Sequence, residues 1–152
     1  MPTPLGDAGA GLVRVLVVED HPLVLQAFSL AFEEVPDVDL VAQARLLEEA
    51  VVAAREHRPD VVLLDRLLPD GDGIEAIGRL RQESGGSRVL VLTGYADTSI
   101  VSRVIEAGGS GLLLKGAGRV DDLVNAIRRV AAGEPAFPAD LAPGAPGGAA
   151  AQ

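Results

Sequence analysis

The stretch VVLLDRLLPDGDG, residues 61–73, leads four consecutive apolar residues into a carboxylate, Asp65, and then into a loop with Pro69, Gly71 and Gly73. A short, continuous apolar run is typical of a strand that helices cover on both faces. Proline and glycine directly after it indicate a turn. The stretch therefore predicts a buried strand that ends in an accessible acid.

Four further apolar runs extend this interpretation to an alternating α/β chain. The segments between the runs have helical length, and residues 97–107 and 119–132 carry apolar side chains at helical spacing. Five strand and helix pairs with right-handed crossovers give a parallel five-stranded sheet between two helical layers, a three-layer α/β sandwich. The five predicted strands are RVLVVE (14–19), VDLVAQ (38–43), DVVLLD (60–65), RVLVLT (88–93) and GLLLK (111–115).

The 152 residues fit one domain with a single core. Residues 1–12 and 133–152 are rich in Gly, Pro and Ala, and are predicted to be a flexible N-terminal tail and a C-terminal tail or linker. The predicted folded domain is residues 13–132.

Composition excludes several classes of function. There is no cysteine, and His21 and His57 are not spaced as a pair of metal ligands. The net charge of −9 repels phosphate backbones, so no direct nucleic-acid binding by this chain is predicted. No apolar run approaches the roughly 18 residues of a membrane span, and the first residues do not resemble a signal peptide. We expect a soluble cytoplasmic protein.

Polar groups follow four of the five predicted strands: Glu19 and Asp20 the first, Asp65 the third, Thr93 the fourth and Lys115 the fifth. In an open parallel sheet, ligands bind at this carboxyl edge. Asp20 alone could instead cap a helix that begins at Pro22. Three neighbouring carboxylates repel one another, which favours a hard divalent cation such as Mg²⁺ among them. With an ammonium and a hydroxyl nearby, the set suits phosphoryl transfer to Asp65.

Four of these motifs, VVEDHPLV, DRLLPDGDG, LTGY and GLLLKG, resemble those of the receiver domain of two-component response regulators. The resemblance covers about residues 13–132 and implies a flavodoxin-like fold with sheet order 2-1-3-4-5. It implies that Asp65 is the phosphoacceptor and that Thr93 and Lys115 hold the phosphoryl oxygens. Mg²⁺ would be bound by Asp20, Asp65 and the Leu67 carbonyl, with Glu19 acting mostly through water.

The same resemblance implies the partners. A sensor histidine kinase or a phosphotransfer protein would supply the phosphoryl group, and the domain would be a signalling phosphoacceptor rather than an enzyme. EDHPLV, LLKG and LVNAIRRVAAGE are similar to receivers of the NarL/FixJ type, in which a linker leads to a helix-turn-helix output domain that regulates transcription. Residues 1–152 contain no recognition helix, which is compatible with a stand-alone receiver and with a piece of a longer regulator.

Four residues qualify the resemblance. Leu112 stands where many receivers have the aromatic ring that turns inward as Thr93 moves. Leu67 and Tyr95 occupy positions flanking the phosphoryl group, where their bulk would slow the entry of water; Tyr95 could instead be a half-exposed loop residue. Arg66 is predicted to pair with Asp70 or Asp72 or to remain a solvated surface charge.

Helix 22–32 is apolar on more than one face. We expect Val24, Phe28, Ala31 and Val35 to face the sheet, while Leu23 and Leu30 form an outward ridge. The ridge either contacts the kinase or a second copy in a homodimer, or is partly covered by the last helix or the C-terminal tail.

Other classes fit less well. A hydrolase of the haloacid-dehalogenase type would need an acid at position 67, and a P-loop protein would need GxxxxGK[ST], which the chain lacks. A flavin or dinucleotide module would need a phosphate-binding loop after the first strand, where this chain has two acids. The remaining alternative is a receiver-like interaction module that works without phosphorylation.

Overall fold

The computed structural model of the chain describes residues 11–116 and 119–141. Within them, five parallel strands form one sheet of order β2-β1-β3-β4-β5, which confirms the predicted 2-1-3-4-5 topology. The strands are β1 (Val13–Val18), β2 (Val38–Ala44), β3 (Val61–Asp65), β4 (Arg88–Thr93) and β5 (Gly111–Leu114).

The continuous apolar strands pack against helices on both sides. Val62 and Leu64 of β3 belong to one buried cluster and Val61 and Leu63 to the other, because successive side chains of a strand point to opposite faces. Helices α2 (Leu47–His57), α3 (Gly73–Ser84) and α4 (Thr98–Glu106) cover the first face and form with it what we call the α2–α4 cluster. Helices α1 (Pro22–Glu33) and α5 (Val120–Ala131) cover the second face. Both faces of the sheet are therefore buried, and the ends of the strands remain accessible.

The helices have the predicted lengths. Those described are α1 (Pro22–Glu33), α2 (Leu47–His57), α3 (Gly73–Ser84), α4 (Thr98–Glu106) and α5 (Val120–Ala131). None of the helices in the described part of the chain is both long and apolar enough to cross a bilayer.

Helix α1 differs in two details from the sequence-based expectation. Leu25 and Phe32 are its buried residues, and Phe28 stacks on Phe32 with ring centroids 6.1 Å apart. The predicted stripe was thus partly wrong, because an almost wholly apolar helix carries no polar face to select its orientation. Leu23 and Leu30 do point outward and are 79% and 56% exposed.

The start of α1 also corrects the alternative role of Asp20. His21 is the N-cap of the helix and makes no side-chain capping bond, whereas Pro22 occupies the first turn. The Asp20 carboxylate therefore does not cap α1.

The predicted boundary at residue 132 remains a prediction, but residues 133–141, which we call the exit segment, pack on the domain. Ala136 donates its N–H to Ser110 O (3.0 Å) and accepts from Leu112 N (2.9 Å), a parallel bridge along the free edge of β5. Phe137 packs against the α2–α4 cluster. The tails predicted at residues 1–12 and 133–152 otherwise fall mostly outside the described residues.

Candidate phosphoacceptor site

Each predicted polar residue lies at the carboxyl edge of the sheet. Asp65 is the last residue of β3 and Thr93 the last of β4, while Glu19 and Lys115 directly follow β1 and β5. Glu19, Asp65 and Thr93 are buried, with exposures of 0%, 4% and 3%. The order β2-β1-β3-β4-β5 puts β3 at the centre, so Asp65 lies between the other groups.

Lys115 joins two of the acids. Its Nζ lies 3.0 Å from Glu19 Oε1 and 3.0 Å from Asp65 Oδ2. Its backbone N–H donates to Thr93 O (2.8 Å), which fixes the lysine relative to the end of β4. One ammonium therefore serves two carboxylates, and the cluster keeps negative charge.

The pKa shifts follow from burial and from this shared lysine. Burial raises the pKa of Asp65, and the Glu19 charge adds to this against the opposing effect of Lys115. Burial acts on Glu19 in the same way, but hydrogen bonds from His21 and Lys115 outweigh it and its pKa lies below the usual value. Burial disfavours the charge of Lys115, yet its bonds to Glu19 and Asp65 raise its pKa overall. The negative charge of Glu19 is thus better stabilised than that of Asp65, which a further cation would stabilise.

Asp20 is the acid with a free oxygen. Its Oδ1 is buried and has no hydrogen-bond partner among the described residues. Ligand atoms of Glu19, Asp20, His21 and Asp65 lie within 4.8 Å of one another. A buried carboxylate oxygen without a donor is costly unless a cation approaches it. These oxygen-rich surroundings fit Mg²⁺.

His21 also belongs to this cluster, although the sequence argued only against a metal-ligand pair of His21 and His57, for which the spacing is wrong. Its Nδ1 lies 2.8 Å from Glu19 Oε2 and 3.3 Å from Asp20 Oδ1. The hydrogen bond to Glu19, followed by the charges of Asp20 and Glu19, raises the pKa of His21. Its position directly after two acids was the available signal in the sequence.

The Thr93 hydroxyl is not bonded to the acidic cluster. Thr93 Oγ1 donates to Tyr95 O (2.9 Å) and accepts from Tyr95 N (3.3 Å). The Tyr95 ring is 63% exposed, and its hydroxyl lies 3.4 Å from Asp97 Oδ2. Leu112, in contrast, is fully buried in the α2–α4 cluster. The Thr93 hydroxyl thus lies at the carboxyl edge of the sheet, but its hydrogen bonds are to the backbone of the loop that follows β4.

The loop after Asp65 is a small antiparallel hairpin in which Leu67 pairs with Asp72 and Leu68 with Gly71. Of the alternatives predicted for Arg66, the structure favours Asp72, whose Oδ2 lies 4.0 Å from Arg66 Nε; this is a long ion-pair distance. Asp72 Oδ2 also lies 3.3 Å from Arg103 Nη2 of α4. Leu67, which carries the candidate carbonyl ligand, has a side chain that is 68% exposed.

The chain matches a known family over most of its length. Residues 15–128 match the family model described as "Response regulator receiver domain". The transcriptional regulatory protein LiaR of Bacillus subtilis is 34% identical over 86% of this chain and 62% of its own length. The response regulator GacA of Pseudomonas aeruginosa is 36% identical over 81% of this chain and 57% of its own. The chain thus spans about three fifths of these relatives.

Solved structures agree in fold. The two-component response regulator of the LuxR family from Aurantimonas superimposes with a TM-score of 0.79 at 35% identity, covering 86% of this chain and 92% of that one. The signal receiver domain of the response regulator NarL from Mycobacterium tuberculosis gives a TM-score of 0.74 at 32% identity, covering 81% of this chain and 98% of that one.

Proposed function

Since the chain belongs to the response regulator receiver family, we propose that Asp65 accepts a phosphoryl group from a phosphohistidine of a sensor histidine kinase or phosphotransfer protein. A receiver domain is a signalling phosphoacceptor rather than an enzyme in the usual sense. The observation that carries the proposal is the convergence of Asp65, Asp20, Glu19 and Lys115, with Lys115 Nζ 3.0 Å from the Asp65 carboxylate.

In the transfer, an Asp65 carboxylate oxygen attacks the phosphorus, a P–O bond forms and the P–N bond to the histidine breaks. The charged Asp65 is the nucleophile, and Lys115 stays beside the transferred group and offsets its equatorial charge. Thr93 would turn its hydroxyl from Tyr95 O to a phosphoryl oxygen, which releases a contact now made within the β4–α4 loop. Through this exchange of hydrogen-bond partners, phosphorylation of Asp65 would change the conformation of the loop that leads into α4.

The residues that would hold Mg²⁺ are Asp20, Asp65 and the Leu67 carbonyl, with Glu19 acting through water. When bound, the ion supplies positive charge to the carboxylates and to the phosphoryl oxygens. The free Asp20 Oδ1 supports direct ligation by Asp20. Glu19, whose two oxygens already accept from Lys115 and His21, suits the indirect position.

The test is intact-mass spectrometry after incubation with acetyl phosphate and Mg²⁺. The wild type should gain one phosphoryl group and the Asp65→Ala variant none, whereas Asp39→Ala, which changes an exposed acid on β2, should be labelled like the wild type. Labelling of Asp65→Ala would contradict the assignment. An unlabelled wild type would favour the phosphorylation-independent interaction module.

The relatives suggest the output. LiaR is described as a transcriptional regulatory protein and GacA as a response regulator, and each extends beyond the part that this chain matches. We propose that phosphorylation of this receiver controls an output region of that kind, or a separate partner, through the faces next to α4, β5 and α5.

A further inference from the structure

The end of β2, the β2–α2 connection and the first turn of α2 together contact the two loops that bear the acids of the cluster. At the β1 end, Glu19 N donates to Ala44 O (2.9 Å), and Arg45 Nη2 donates to Asp20 O (3.3 Å). From the β3 loop, the Asp70 carboxylate reaches the same turn. The segment that runs from the end of β2 into the first turn of α2 therefore contacts both the β1–α1 and the β3–α3 loops.

Asp70 supplies the cap that α2 lacks in its own sequence. The N-cap residue is Leu46, which has extended backbone angles (φ −133, ψ 155) and no side-chain cap bond. Instead, Asp70 Oδ1 accepts from Leu47 N (2.8 Å) and Asp70 Oδ2 from Glu48 N (3.2 Å). Free N–H groups at a helix start favour an anionic acceptor. Slight burial raises the pKa of Asp70, but these backbone bonds outweigh it and hold the pKa below its usual value.

The hairpin that carries Asp70 is attached to α2 at neighbouring points. Leu68 is buried in the same cluster as Leu47. Gly71 lies so close to α2 that a β-carbon there would be 3.1 Å from Leu47 Cδ1. Leu67, the proposed carbonyl ligand, is only three residues before Asp70 and two residues after Asp65. The tether at Asp70 thus restrains the short segment that must place a main-chain oxygen beside the phosphoacceptor.

We infer that Asp70 is a positioning residue: by capping α2 from the phosphoacceptor loop, it holds the Leu67 carbonyl where the cation and Asp65 need it. The inference rests on the proposed function. Without the tether, the hairpin tip gains conformational freedom, and ordering it again costs free energy when the cation binds. Asp70 does not touch the reacting atoms and acts through Leu67.

The experiment separates positioning from helix capping. Asp70→Ala removes both roles, whereas Leu46→Ser together with Asp70→Ala restores a cap within α2, where Glu49 at the third helical position completes a capping-box pattern. Three quantities are measured on each protein: the urea midpoint, the Mg²⁺ affinity from amide chemical shifts of the unphosphorylated protein, and the initial rate of labelling by acetyl phosphate.

Asp70→Ala should lower the urea midpoint, weaken Mg²⁺ binding about tenfold or more and slow labelling. Adding Leu46→Ser should restore the midpoint but leave Mg²⁺ affinity and labelling impaired. Asp70→Asn, which keeps one acceptor oxygen, should be intermediate in all three.

Two outcomes overturn the inference alone: Mg²⁺ affinity unchanged in Asp70→Ala, or full recovery of affinity and labelling in the double variant, which would mean that Asp70 only caps the helix. A wild type that neither binds Mg²⁺ nor becomes labelled would overturn the proposed function and the inference together.

Discussion

Glu19 and Asp20 are adjacent in the chain but have different surroundings. Glu19 is fully buried and accepts hydrogen bonds from Lys115 and His21, whereas Asp20 Oδ1 makes no hydrogen bond in the described part of the chain and has the His21 ring nitrogen 3.3 Å away. We therefore expect Asp20→Ala to weaken Mg²⁺ binding about tenfold or more, and Glu19→Ala to weaken it less.

Without Mg²⁺, the free energy of unfolding should be lowered more by Glu19→Ala than by Asp20→Ala, the reverse of their order for Mg²⁺ binding. Asp20→Ala removes a repelling charge and breaks no hydrogen bond, losing only the contact with the exposed His21 ring, so the free energy of unfolding should stay level or rise. Glu19→Ala leaves Lys115 with only Asp65 of its two carboxylates, and the free energy of unfolding should fall. Mg²⁺ titrations and urea unfolding of both variants check this; equal loss of Mg²⁺ affinity, or a larger loss for Glu19→Ala, would contradict the ordering.

Leu67 and Tyr95 are predicted to set the lifetime of the aspartyl phosphate. Both are bulky and lack a group that would orient an attacking water, so the phosphorylated state should be long-lived. Because both side chains are exposed here, shielding requires them to fold over the phosphoryl group. The Leu67→Asn, Tyr95→Glu double variant should release phosphate about tenfold faster, corresponding to about 1.4 kcal/mol. Release at the wild-type rate would show that hydrophobic shielding does not determine the lifetime.

The sequence was sufficient to predict which residues come together at the site, because the carboxyl ends of parallel strands lie at the same edge of a sheet. The individual hydrogen bonds that these residues make were not predictable. Thr93 bonds to the backbone of Tyr95, and His21 bonds to Glu19, through local turns whose geometry no periodicity describes. Asp70 reaches α2 across 23 residues of sequence, a contact that only the fold creates.

Helix α3 contains two glycines with opposite roles. At Gly73, in the first turn, a β-carbon would lie 2.5 Å from Asp65 O, so the helix start fits against the end of β3 only without a side chain. At Gly78, exposed in the helix interior, nothing lies within 4 Å of an added β-carbon.

Gly73→Ala should therefore destabilise the fold by about 1–3 kcal/mol and reduce labelling of Asp65, because the strand end must shift. Gly78→Ala should raise the free energy of unfolding by about 0.5–1 kcal/mol and leave labelling unchanged, since alanine favours the helix. Urea unfolding and acetyl phosphate labelling of this matched pair check it. If the two variants behaved alike, close packing behind Asp65 would not be the reason for Gly73.

At the scale of elements, the sequence predicted the strands to within about one residue at each end, since continuous Val and Leu runs have sharp borders. The hairpin at residues 67–72 was not predicted, because two-residue strands carry no pattern. The packing of the exit segment on β5 was not predicted either. The Gly and Pro residues of this segment are as common in flexible linkers as in segments that pack closely along a sheet edge. Gly111, where a β-carbon would lie 2.5 Å from Ala136 O, is the residue that admits this packing.

At the scale of the whole molecule, an apolar surface formed by α1 and α5 adjoins the acidic cluster at the carboxyl edge of the sheet. Between α1 and α5 lies a groove of about 510 Å³ whose lining is mostly apolar and includes Phe28, Leu113 and Leu123. Lys115 also lines it, so the groove adjoins the acidic cluster at the edge of the sheet. The exposed ridge of Leu23 and Leu30 is on α1, one of its two walls. A partner that delivers a phosphoryl group to Asp65 would find apolar surface next to the site.

We therefore expect Leu23→Glu together with Leu30→Glu to reduce phosphotransfer from the partner kinase, or dimerisation, about tenfold or more, since two charges would be buried in the contact. Labelling by acetyl phosphate should be unchanged, because Asp65 and its neighbours are intact. Val52→Glu is the control: Val52 is 46% exposed, but it is on α2, across the sheet from α1. Kinase transfer, sedimentation and labelling are compared for the three proteins. A double variant equal to the wild type in both transfer and sedimentation would exclude the ridge as a docking surface, whereas equal impairment by Val52→Glu would mean that added charge, and not the position of the ridge, causes the loss.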